Sequence, residues 1–202
     1  MIVHGPGPVV RRVGRLVFLF SLCLYATTTG GSMATDIMTY EVTKNIVEHR
    51  SVEMSYNLYQ MDAHRGVDGG YYAPYGIGHA IYSIPFYLAG RAAERVTGLD
   101  VGKAEVLRKA AVAGGSTVAA AASVWFAFWF AWRIARSLHA ALAVALSFGF
   151  ATLLWPYSKF GFNAPLASLC VVGGVYGCWL GVRERQPAAL VAGGVGVGCA
   201  LL

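Results

Sequence analysis

Short basic groups alternate with apolar runs along this chain, and the spacing between them predicts its elements. Arg11, Arg12 and Arg15 precede an apolar core at residues 16–26. Such a start is either a cleaved signal peptide or a first membrane helix. No small-residue cleavage site of the A-x-A kind follows, which favours an uncleaved helix with its arginines on the cytoplasmic side. Residues 36–49 place Met38, Val42 and Ile46 at a spacing of four, with Glu41, Lys44 and Glu48 turned elsewhere, the pattern of an amphipathic helix. Residues 77–89 are strongly apolar but short and contain Pro85. One helix needs about 20 residues to cross ~30 Å of hydrocarbon, so this run is expected to be a juxtamembrane or re-entrant helix. Four later runs, near 110–132, 137–155, 164–182 and from 187 onward, predict membrane spans. The last covers only about 15 residues before the sequence stops, which reads as a truncated reading frame or a gene fragment.

Composition strengthens the membrane reading, because 56% of residues are hydrophobic and only 13% charged, where a soluble domain carries roughly a quarter. The net charge of +6 is held in separate groups beside apolar runs, not in a continuous stripe, which argues against a nucleic-acid partner. These groups act better as topology signals. If 77–89 does not cross, Arg11 to Arg15, Arg133 with Arg136, and Arg183 with Arg185 all fall on the cytoplasmic side. Region 30–109 and the turn 155–163 are then outside.

The expected fold is an all-α integral membrane protein, a polytopic helix bundle with a large first outer loop containing juxtamembrane helices. Its parts are an N-terminal membrane helix (1–29), the outer loop (30–109) and the transmembrane helices (110–202). The expected location is the plasma (inner) membrane, with the N-terminus cytoplasmic. Trp125, Trp129 and Trp132 share a helix face, and Gly173, Gly177 and Gly181, like Gly194 and Gly198, repeat at the spacing that lets helices pack closely. The four cysteines lie in apolar runs without a CxxC pair and are expected to form neither a disulfide nor a metal site.

Candidate chemistry concentrates in 27–109, which holds all but one of the ten acidic residues. Asp36, just beyond the first helix, can serve as a general base that takes a proton from an acceptor hydroxyl; the local pattern alone favours a helix N-cap. The loop from Gly70 to His79 gathers Tyr71, Tyr72, Tyr75 and His79 around glycines and a proline. Backbone N–H groups, a tyrosine hydroxyl and the histidine can hold a phosphate there, and the same composition also makes an interfacial turn. Asp62, His64, Arg65 and Asp68 precede that loop as solvated residues able to meet an ion. Lys159, in the turn 155–165, can meet a phosphate as a point charge or anchor at the interface. No HExxH, P-loop or GxSxG motif is placed where its chemistry needs it.

Three stretches, in this order, resemble the GT-C superfamily of polyprenyl-phosphate-dependent glycosyltransferases, near the protein mannosyltransferase and aminoarabinose transferase group. They are DIMTY with the helix ending NIVEHRSVEM, then GYYAPYGIGHAIYSIPFYLAG, then TLLWPYSKFGFNAPLASL. Ile37 stands where the family has a second acid, and Ala164 where it has a Glu before the proline. The resemblance implies inverting transfer of a sugar from a polyprenyl-phosphate carrier to an acceptor at the outer face. It puts Asp36 in the place of the catalytic carboxylate, with Tyr40, Tyr72, Tyr75, His79 and Lys159 on the substrate. A divalent metal is compatible with it, and no cofactor is certain. The alternative expectation is a non-catalytic membrane scaffold or a small transporter-like subunit.

Overall fold

The computed structural model describes residues 7–28, 34–54 and 63–200; of residues 34–36 only the helical backbone is described. The fold is predominantly helical. In order come α1 (Pro8–Thr28), α2 (Ala34–His49), a hairpin of β1 (His64–Arg65) and β2 (Tyr71–Tyr72), and α3 (Gly78–Thr97). Then follow α4 (Val101–Ala135), α5 (Leu138–Phe150), α6 (Leu154–Ser158), α7 (Ala164–Arg183) and α8 (Pro187–Cys199).

Helix α4 runs through two tiers. Its N-terminal half packs antiparallel to α3, where Tyr82 Oη donates to the Gly115 carbonyl (3.0 Å) and Arg108 pairs with Glu94 at 2.9 Å. Its C-terminal half is surrounded by α1, α5 and α7. The tiers meet where Ser116 Oγ donates to the Phe162 carbonyl (3.0 Å) and Thr117 Oγ1 to that of Ser158 (3.3 Å). From residue 117 to 135 at 1.5 Å per residue the lower tier is about 27 Å deep, close to the ~30 Å of a bilayer's hydrocarbon core.

The lower core joins Val17 and Tyr25 of α1, Ala120, Ala121, Val124, Phe128 and Trp132 of α4, Ala141 and Ala145 of α5, and Leu154. Alanines at the contact let helix backbones approach closely. Helix α1 is antiparallel to α4, since a side chain at Gly14 would strike Phe128 and Trp129 while Tyr25 reaches Gly149 beside Val124. Arg133 and Glu184 form a half-buried pair that joins the C-terminal ends of α4 and α7. All three arginine groups therefore lie at one end of the lower tier, as the sequence pattern predicts.

The upper tier consists of α2, α3, the first half of α4 and the hairpin. The apolar stripe expected on α2 is present: Met38 and Val42 are buried against Met54, Ala63 and Ala80, with Ile46 alongside. Among the described residues, two helices are long and apolar enough to cross a membrane, Val101–Ala135 and Ala164–Arg183.

Several expected boundaries change. Helix α4 starts at Val101 rather than near 110, because Asp100 caps it by accepting from the Lys103 N–H at 3.1 Å, just after Gly98 in the left-handed conformation ends α3. The run 77–89 lies within a 20-residue helix that contains Pro85 and continues through polar Arg91, Glu94 and Arg95. The span expected at 137–155 is a 13-residue helix followed by the short α6. Thr152 breaks it: its hydroxyl donates to the Phe148 carbonyl (2.7 Å) and accepts from the Leu154 N–H (3.2 Å). Region 30–109 also contains the two-stranded hairpin, which the all-α expectation does not include.

The glycine contacts follow helical register, not strict spacing of four. Gly174, Gly177 and Gly181 of α7 meet Gly193 and Leu190 of α8, where an added Cβ at Gly193 would lie 2.4 Å from the Cys178 nitrogen. Gly173 instead faces Phe126, and Gly194 and Gly198 face open space.

Candidate functional site

The site lies at the junction of the tiers, opposite the arginine end. A cavity of about 150 Å³ is bounded by Met38 and Thr39 of α2, by Tyr72, Tyr75 and Gly76 of the hairpin and its following loop, and by His79 and Asn163. A second cavity of about 310 Å³ shares Gly76, His79 and Asn163, then continues between α3, α7 and α8 along Ile81, Leu166, Ala167 and Cys170. The two share a wall, and apolar side chains make up most of the lining of both.

His79 is 5% exposed. Its Nδ1 is 3.4 Å from Thr39 Oγ1 and its Nε2 is 3.4 Å from Ser116 Oγ. Ser116 gives its own proton to the Phe162 carbonyl. The network is therefore satisfied when Nε2 carries the imidazole proton and Nδ1 accepts from Thr39. Burial pushes the His79 pKa down to about 4, so the ring is neutral at neutral pH. It thus joins α2, α3 and α4 as an uncharged wall.

Tyr72 lines the cavity with its ring, while its hydroxyl donates to Asp68 Oδ2 at 2.5 Å. Asp68 also accepts from the Gly70 N–H at 3.1 Å. These two bonds hold the Asp68 carboxyl below the usual range and fix the hairpin turn, where Gly69 has φ +85°. Tyr75, 46% exposed, stands at the mouth. The hairpin is bound to the upper tier by the Met54 N–H, which donates to the Tyr71 carbonyl at 2.8 Å.

Two expected substrate residues do not reach the cavity. Tyr40, 2% exposed, points between the helices, its ring 5.8 Å from that of Tyr87 and 5.4 Å below Lys109 Nζ. Thr39, its neighbour on α2, faces the cavity instead. Lys159 Nζ lies 5.3 Å over the Trp155 ring and is not among the residues lining either cavity. Asp36 belongs to the first turn of α2, one turn before Thr39, so it does not precede the helix as an N-cap does; its side chain, like all of Asp62, lies outside the described residues. Among the described residues no three His, Cys, Asp or Glu side chains gather to hold a metal.

Thr39, Ser116, Asn163 and Gly76 were not singled out by sequence. Thr39 had a signal available, since helical spacing from Asp36 points to it as well as to Tyr40. Ser116 is hidden in an apolar run, and Asn163 in an aromatic turn. No family model, curated protein or solved structure matches this chain.

Proposed function

We propose that this chain belongs to a polytopic membrane glycosyltransferase that moves a sugar from a polyprenyl-phosphate carrier to an acceptor at the outer face of the plasma membrane. The observation that carries the reading is the pair of adjoining cavities at the junction of the tiers, both mainly apolar, with Thr39, Tyr72, Tyr75, His79 and Asn163 as polar groups of the smaller one. A lipid phosphate has that character: its head needs hydrogen-bond donors and its chain an apolar channel. In this reading Gly76 and Tyr75 meet the head, and Ile81, Leu166 and Ala167, which line the adjoining cavity, meet the chain. Asp36, one helical turn before Thr39, takes the proton of the acceptor hydroxyl. The acceptor oxygen bonds to the anomeric carbon as the bond from that carbon to the phosphate oxygen breaks, and the phosphate leaves with the electron pair.

Asp36→Asn tests this in vesicles with a radiolabelled polyprenyl-phosphate sugar. Transfer should fall at least ~100-fold, the usual size of a general-base effect, while membrane insertion is unchanged. Full activity in the variant would overturn the assignment. The scaffold reading also has an observation in its favour: among the described residues, no side chain lining the smaller cavity carries a charge at neutral pH. It predicts that the natural chain retains the carrier lipid and transfers nothing.

A further inference from the structure

We infer that the slot between α1 and α4 binds an anionic phospholipid from the leaflet that meets the arginine end. This inference rests on the membrane reading, and is independent of catalysis. The slot, of about 480 Å³, is lined by Arg15, Phe18 and Leu19 of α1 and Ala122, Trp125 and Phe126 of α4. Each triplet follows the i, i+3, i+4 register, so each forms one face of its helix. Ala122 leaves the depression, and the aromatic rings of Phe18, Trp125 and Phe126 wall it.

Arg15 is the one charged residue among those lining the slot; it borders this almost wholly apolar surface through its stem, at the end nearer the arginine groups. A ligand there has its negative head toward that end and an apolar chain along α4 toward mid-bundle. A long arginine can keep its guanidinium at the interface while its stem covers apolar surface. The surroundings choose the sign of the head. Arg11 and Arg12 lie one turn earlier on α1, and Arg136 lies over Trp132 at the end of α4. Glu184, the one acid of the lower tier, is already paired with Arg133. A net positive field of this kind favours an anionic headgroup over a zwitterionic one.

Bromine on lipid chains quenches tryptophan at contact, and Trp125 lines the slot. The full chain is placed in phosphatidylcholine vesicles holding equal fractions of either brominated phosphatidylglycerol or brominated phosphatidylcholine. Quenching should be about twofold stronger with the anionic lipid, and the excess should vanish in Trp125→Phe and in Arg15→Gln. Ala122→Leu, which fills the slot and keeps the arginine, should remove it as well. Equal quenching by both lipids would leave the membrane reading standing and overturn the site, as would an excess that survives Arg15→Gln and Ala122→Leu. Quenching by neither lipid would overturn the membrane reading, and the site with it.

Discussion

The two ends of the lower tier use opposite kinds of polarity. At one end, Arg11, Arg12, Arg15, Arg133, Arg136, Arg183 and Arg185 answer to a single acid, Glu184, and the aromatic partner nearby is Trp132. At the other end, hydroxyls, an indole and a neutral imidazole meet backbone carbonyls or one another in directed bonds. Ser116, Thr117 and Trp155 bond to Phe162, Ser158 and Thr28, and no cation takes part in these three bonds. Charge acts at a distance and through sign, so it orients a bundle without shaping a site. Directed hydrogen bonds fix neighbours to within a few tenths of an ångström, and it is there that cavities are built.

That contrast can be broken most strongly at His79. Its folded pKa of about 4 lies below the ordinary 6.5, so the unfolded chain binds the extra proton between those values. Stability is unaffected by this group above pH 6.5. It falls by roughly 3 kcal/mol as the pH drops from 6.5 to 4, and levels off below. Thermal unfolding across that range checks it, and His79→Gln should flatten the slope.

A smaller effect is expected at the arginine end. Glu184→Ala leaves Arg133, 17% exposed, without its partner, and should cost about 2 kcal/mol, less than for a fully buried pair because some solvent reaches both groups. Raising the salt concentration should restore part of the loss here and none at His79. The same response at both ends would erase the distinction. Smallest is Tyr25→Phe, which removes the 2.7 Å bond to the Gly149 carbonyl and should cost about 1 kcal/mol.

The arginine end was legible in sequence, because grouped charges beside apolar runs signal sidedness without knowledge of packing. The apolar stripe of α2 was legible for the same reason: Met38, Val42 and Ile46 repeat with the helix. The site was read in part. Tyr72, Tyr75 and His79 are close in the chain and remain so in the fold. Tyr40 was misplaced because a motif spacing does not say on which side of α2 the partner helix packs, and Tyr87 captures it. Ser116 and Asn163 come from elements 37 and 84 residues beyond His79 in the chain, being brought there only by tertiary contact. The ends of α4 and α5 depended on single side chains, Asp100 and Thr152, whose local bonds outweigh the hydropathy of their neighbours.

The bond from Tyr25 to Gly149 spans 124 positions in the chain. Helix α5, with 13 residues, is about 20 Å long and ends with carbonyls that its own backbone cannot satisfy. In hydrocarbon such groups are costly to leave bare. Tyr25, on α1, covers one of them. The end of a short helix is thus closed by a side chain from a segment far away in the sequence.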